Sequence, residues 1–216
     1  MKQVMIVNRQ RARLILFFAG WGMDETPFLH CCPQESDLMV CYDYRELDFN
    51  DTLLANYREI HLVAWSMGVW AASKALSWYQ ELPITRSIAV NGTPYPVDEE
   101  RGIPPAIFNG TLEGLNAASL LKFQRRMCGG SEAYERFRSI APCRSWEELK
   151  EELAVIGTLC TVLPPSDWKW DRAFIGENDR IFPPQAQQKA WEGVCPAIEH
   201  GSEAHYDDEL LQRLLV

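Results

Sequence analysis

No run in the sequence approaches the roughly 18 consecutive apolar residues of a membrane span, so no membrane association is expected. No C-x-x-C pair, H-E-x-x-H pattern or paired histidine spacing occurs, and no metal site is expected. No G-x-G-x-x-G or Walker A loop occurs, which leaves nucleotide cofactors without a motif. There is no internal repeat and no low-complexity tract. Basic residues are the minority, 21 Lys and Arg against 30 Asp and Glu, for a net charge of -9. That balance argues against a nucleic-acid footprint over the whole surface, though a local basic patch stays open. Seven cysteines are an odd number without a disulfide framework, and Cys31 and Cys32 are neighbours. The expectation is reduced thiols in a cytoplasmic protein. The first residues do not read as a signal peptide. Asn8, Arg9, Gln10, Arg11 and Arg13 break the apolar stretch, and no small-residue cleavage site follows.

The chain has 216 residues, 47% of them hydrophobic, which suits one large core or two smaller domains. Eight Trp, seven Tyr and nine Phe are many for this length, enough to fill a core and line a pocket. Short apolar runs alternate with helical patterns, the sign of a parallel α/β sheet. Strands are expected at Gln3–Val7, Arg13–Phe18, Leu38–Tyr42, Ile60–Ala64, Ser87–Val90, Arg172–Ile175 and Ala197–Glu199. The polar stretch Asn8–Ala12 is short enough to join the first two as a hairpin. Asp51–Tyr57 has apolar residues at helical spacing, and Met67–Tyr79 reads as a helix. Four prolines mark 93–105 as a loop, and about 111–159 reads as helices only. Ser145-Trp146-Glu147-Glu148 looks like a capping box opening one of them. Two closing helices are expected, one after Pro183-Pro184 and one at Asp207–Leu215. The expected organisation is a core of residues 1–100 and 160–216 interrupted by a helical lid at 101–159.

The chemistry concentrates at Ala64-Trp65-Ser66-Met67-Gly68, between an apolar strand and a helix. A serine on such a sharp turn, the nucleophile elbow, stands exposed above the sheet. The turn crowds its own backbone, so it wants small residues two before and two after the serine. Gly68 meets this, and Ala64 departs by one methyl group. A serine hydroxyl needs a base, and the base needs an orienting group. In this architecture they follow in the order Ser, Asp or Glu, His. Asp179 lies on a loop after a late strand, with Glu177 as its near rival. His205 lies beyond the last strand, with His200 as runner-up. His30 sits in an early loop, and His61 opens the strand below the elbow. Two backbone N–H groups are needed for the oxyanion that acyl transfer creates. Met67 supplies one candidate. Trp21, in the loop Gly20-Trp21-Gly22, supplies the other, and its side chain is placed to wall the acyl pocket.

Gly20-Trp21-Gly22-Met23, Trp65-Ser66-Met67-Gly68-Val69-Trp70-Ala71-Ala72 and Asn91-Gly92-Thr93-Pro94 resemble the BioG-type pimeloyl-acyl-carrier-protein methyl ester esterases of the α/β-hydrolase superfamily. The likeness continues through Gly176, Asp179 and Pro183-Pro184 to His205. It implies an α/β-hydrolase fold with a mostly parallel central sheet, flanking helices and an inserted lid. It implies removal of the ω-methyl ester from pimeloyl-acyl carrier protein in biotin synthesis, with methanol released and no cofactor needed. By position, Ser66 would be the nucleophile, His205 the base and Asp179 its orienting carboxylate. Trp21 and Met67 would form the oxyanion hole. An acyl carrier protein is acidic, so its dock should be basic. Lys122, Arg125, Arg126, Arg136 and Arg138 face only Glu132 and Glu135 between positions 122 and 138, a basic segment within the expected lid. Arginine suits a phosphopantetheine arm because it pairs phosphate bidentately. Oligomeric state leaves no mark in the sequence. Two other readings stay open: an esterase or thioesterase of this fold acting on another small acyl ester, and a non-catalytic binding module.

Overall fold

Leu14–Phe18 is apolar at every position, and a strand greasy on both faces is stable only when both are covered. The computed structural model, which describes residues 1–79 and 81–216, puts it near the middle of a seven-stranded sheet. The strands are β1 (Lys2–Val7), β2 (Arg13–Phe18), β3 (Asp37–Tyr42), β4 (Glu59–Trp65), β5 (Ile84–Val90), β6 (Arg172–Gly176) and β7 (Ala197–Gly201). Their order is β1-β3-β2-β4-β5-β6-β7, with every pairing parallel except β1 with β3. After β2 the chain steps to one side, and after β4 it builds towards the other. The crevice beyond the carboxyl ends of β2 and β4 is therefore the topological switch point, where ligands bind in open α/β sheets.

The expected hairpin between β1 and β2 does not form. Burial decides the matter: Leu14–Phe18 are buried, while β1 is half-exposed and takes the edge beyond β3. Asn8–Ala12 instead carries the chain across the end of β3. There the Asp37 carboxylate accepts the backbone N–H groups of Arg9 (2.8 Å) and Arg11 (3.3 Å) and the Tyr57 hydroxyl (2.9 Å). Two helical expectations also shorten. Asp51–Tyr57 yields only a 3-10 turn at Asp51–Leu54, capped by Asn50. The helix α1 (Met67–Leu76) stops before Tyr79, its last turn closed by the Ser77 hydroxyl on the Lys74 carbonyl, 2.8 Å.

Four helices stand between β5 and β6: α2 (Pro105–Gly114), α3 (Ala117–Met127), α4 (Ser131–Arg138) and α5 (Trp146–Val162). Ser145 and Glu148 cap α5 reciprocally, and Asn116 with Ser119 does the same for α3. The α5 stripe Leu149, Leu153, Ile156 is buried against the core. Helices α6 (Pro184–Trp191) and α7 (Asp208–Leu215) complete the chain. Among the described residues, no helix is long and apolar enough to cross a membrane, and no group of His, Cys, Asp and Glu is arranged to hold a metal ion.

Candidate active site

Ser66 ends β4 and begins α1 with φ 60° and ψ -128°, a conformation that costs a non-glycine residue about 1–3 kcal/mol. Its neighbours enforce the bend. The Ser66 N–H donates to the Val90 carbonyl at 2.9 Å. A Cβ on Gly68 would lie 2.3 Å from the Phe18 carbonyl oxygen, so no side chain fits there. Ala64 lies within β4, flanked in register by Phe18 and Ala89, and its methyl group is fully buried. The turn tolerates that departure from glycine.

Ser66, His205 and Asp179 form one hydrogen-bonded row. The Asp179 carboxylate accepts His205 Nδ1–H at 2.8 Å on Oδ2, which leaves Nε2 as the acceptor for the Ser66 hydroxyl at 2.9 Å. The carboxylate is fixed by three further donors. Oδ1 takes the backbone N–H of Ile181 (2.7 Å) and Phe182 (2.9 Å), and Oδ2 takes Gln187 Nε2–H (3.0 Å). The imidazole lies between Trp65, 5.3 Å away, and Phe182, stacked at 6.0 Å. The His205 carbonyl accepts Trp65 Nε1–H (2.7 Å) and Asn91 Nδ2–H (3.0 Å). Asn91 in turn accepts the Gly176 N–H at 2.7 Å, so one side chain joins the ends of β5 and β6 to the histidine loop. It does so at φ 46°, a conformation asparagine tolerates better than most residues.

The rival residues lie elsewhere. Glu177 is exposed on the turn that buries Asp179. His200 is exposed and meets the Gln188 amide oxygen at 3.1 Å. His61 faces Glu59 at 2.7 Å near the start of β4, and His30 meets Gln212 and Asp208 at the surface. Trp65, Asn91, Phe182 and Gln187 escaped the sequence reading as site residues. Trp65 adjoins the serine and Asn91 ends a strand, but nothing in the spacing marks Gln187 or Phe182.

Ser66 and His205 open into a narrow slot. Its walls are mostly apolar, with Ile103, Phe108, Phe123, Leu153 and Ile181 among them. Trp21 and Met67 also line it, and among the described residues no protein acceptor takes either backbone N–H. Free donors beside a serine suit a developing oxyanion. The Trp21 ring packs edge-on against Phe123 at 5.1 Å, and its indole N–H donates to the Leu149 carbonyl at 3.0 Å.

The five basic residues read as one segment fall into two groups. On α3, Lys122, Arg125 and Arg126 are exposed and form no ion pair among the described residues. Arg125 lies over the Tyr134 ring, and Arg126 reaches the slot beside Phe123. On α4, Arg136 pairs with Glu132 (2.8 Å) and Arg138 with Glu135 (2.9 Å).

A serine on a strained elbow at the switch point, with an aspartate after β6 and a histidine after β7, defines the serine-hydrolase class of the α/β-hydrolase fold. A family model described as pimeloyl-ACP methyl esterase BioG matches residues 1–211, and the chain belongs to that family. The crystal structure of BioG from Haemophilus influenzae is 37% identical, with a TM-score of 0.89 over 100% of both chains. An esterase from Exiguobacterium antarcticum shares the fold at 14% identity, with a TM-score of 0.70 over 99% of this chain and 91% of that one. A Bacteroides fragilis protein named malonyl-[acyl-carrier protein] O-methyltransferase is 57% identical over 205 residues, 95% of this chain and 42% of that protein. The chain thus spans less than half the length of that relative.

Proposed function

We propose that this chain is a serine carboxylesterase that hydrolyses the methyl ester of pimeloyl-acyl carrier protein in biotin synthesis. The observation that carries the reading is the Ser66–His205–Asp179 row at the base of an apolar slot, in a chain of the BioG family. Ser66 attacks the ester carbonyl while His205 takes its proton. The tetrahedral oxyanion is met by the N–H groups of Trp21 and Met67. His205 returns the proton to the departing methoxide, and methanol leaves an acyl-serine. A water, deprotonated by His205, then attacks the acyl-serine. The carboxylic acid departs and Ser66 regains its proton. Asp179 holds the imidazole in the tautomer this cycle needs. No step calls for a cofactor.

Residues 101–159 serve as the lid over a core of residues 1–100 and 160–216. The partner is an acyl carrier protein, docked on the unpaired cations of α3 with Arg126 at the slot mouth. A relative named for O-methylation of a carrier-bound acid supports a carrier-bound substrate. Seven unpaired cysteines accord with a reducing compartment, and the cytoplasm is the proposed location. The test is single-turnover hydrolysis of pimeloyl-acyl-carrier-protein methyl ester, beside Ser66→Ala and a short p-nitrophenyl ester. Fast turnover of the carrier substrate, lost in Ser66→Ala, is the expected result. Ser66-dependent turnover of the small ester alone would overturn the substrate. Turnover surviving in Ser66→Ala would overturn the mechanism.

A further inference from the structure

The loop after β2 carries Trp21, and it contains no regular structure to fix its path. Its ties converge on the start of α5. The Trp21 indole N–H donates to the Leu149 carbonyl at 3.0 Å. Arg144 donates to the Met23 carbonyl at 3.2 Å. The Asp24 carboxylate accepts the Cys143 N–H at 2.7 Å. A Leu149 methyl group lies 3.4 Å from where a Cβ on Gly22 would stand, at a φ of 82° that glycine accepts freely.

Behind these contacts stands a buried ionic cluster. Arg144 donates to Glu152 at 2.7 Å and lies 3.3 Å from Asp43, and none of the three side chains is more than 6% exposed. Glu152 accepts the Tyr44 N–H at 2.8 Å, and the Tyr44 hydroxyl donates to the Ala19 carbonyl at 2.6 Å. The loop is thus gripped at Ala19, Trp21, Met23 and Asp24. Burial raises the Glu152 carboxyl above its ordinary range, and the Arg144 charge only partly offsets this. A well-packed apolar trio often matches or exceeds the stability of a buried ion cluster. An apolar trio cannot direct an N–H at the Met23 carbonyl.

We propose that Arg144 and Glu152 are positioning residues for the reaction: through the start of α5 they hold the loop of residues 20–24 so that the Trp21 backbone N–H faces the oxyanion. This rests on the esterase reading given above. The inserted helices then do more than cover the slot, because one end of them sets half of the oxyanion hole.

The test compares Arg144→Met and Glu152→Gln with the parent chain, below the melting temperature of each. The readouts are kcat and KM on a short p-nitrophenyl ester and the rate of Ser66 labelling by a phosphonate. Displacing an oxyanion donor without removing it should lower kcat about 10- to 100-fold, with KM changed less than about threefold. Phosphonate labelling should slow by the same factor. Parent kcat in a folded Arg144→Met, or a rise in KM with kcat unchanged, would overturn the proposal. If Arg144→Met fails to fold, Trp21→Phe removes one tie and spares the ion cluster. It should lower kcat about 3- to 10-fold, and an unchanged kcat would overturn the proposal. Ser66→Ala separates the two readings. Residual turnover there would sink the esterase reading, whereas an inactive Ser66→Ala beside a fully active Arg144→Met would sink only this one.

Discussion

The two ends of the inserted helices both carry charge, and they use it in opposite ways. At the α5 end, Arg144, Glu152 and Asp43 are buried together. At the α3–α4 end, Lys122, Arg125, Arg126, Arg136 and Arg138 stand in solvent. Desolvating an ion costs several kcal/mol, so a buried charge persists only where its partners are fixed. An exposed pair contributes about 0–1 kcal/mol and leaves the surrounding geometry free. Such charge acts on encounter and orientation more than on the fold. One segment thus carries a fixed, buried ion cluster at one end and a free, exposed cationic surface at the other.

Breaking the buried end should give the largest effect on stability. Arg144→Met strands the buried Glu152 without its cation, while Arg45 still holds Asp43, and should cost about 3–5 kcal/mol, read from the urea midpoint. A loss near 1 kcal/mol would mean that this cluster behaves like a surface pair. Breaking the exposed end should move recognition instead. Lys122→Glu with Arg125→Glu, which spares Arg126 in the slot wall, should raise KM for the carrier-bound ester about tenfold, equivalent to about 1.4 kcal/mol, with KM for a small ester within about twofold. Equal rises on both substrates would place the effect in the slot and remove the docking surface. Arg136→Glu with Arg138→Glu should do less, about threefold or under, because Glu132 and Glu135 already hold those cations. A response on α4 as large as that on α3 would erase the division between the two helices.

The sequence made the exposed end legible and hid the buried one. The five cations of α3 and α4 stand out in an acidic chain, but their pairing within α4 needs the helix geometry to be seen. Ser66, Asp179 and His205 were legible because strand-to-helix turns and chain order constrain them strongly. The Ser145–Glu148 box was legible because it is local. Arg144 was not, because a lone arginine before a helix reads as surface. Glu152 did leave a signal: it falls on the stripe Leu149, Leu153, Ile156, where a carboxylate must meet a partner. The edge position of β1 was hidden for another reason. A polar stretch between two apolar runs is locally a fair hairpin, and only competition for the covered middle of the sheet decides against it. Gln187 and Asn91 act on backbone and carboxylate groups that converge only after the sheet has formed.

The smallest effect tests the buried end by pH. Burial pushes the Asp43 carboxyl up, but two hydrogen bonds from Arg45 (2.8 and 2.7 Å) and the charges of Arg144, Arg45 and Lys2 outweigh it and hold the group below its ordinary value. A lowered folded value gives stability that is present above the unfolded value, about 3.9, and is lost as pH falls through the folded one. Asp43→Asn should therefore be less stable than the parent at neutral pH, with the gap in urea midpoint closing in acid. Glu152 runs the other way. Its folded value is raised, so its contribution is full below the unfolded value, about 4.3, and is lost as pH rises through the folded one. Glu152→Gln should escape that loss, so its gap from the parent also closes in acid, but from the opposite side. Gaps that stay constant from pH 3 to 7 would mean that neither carboxyl changes its proton affinity on folding. The buried cluster at the α5 end would then leave no mark on proton affinity, and the contrast between the two ends would fail.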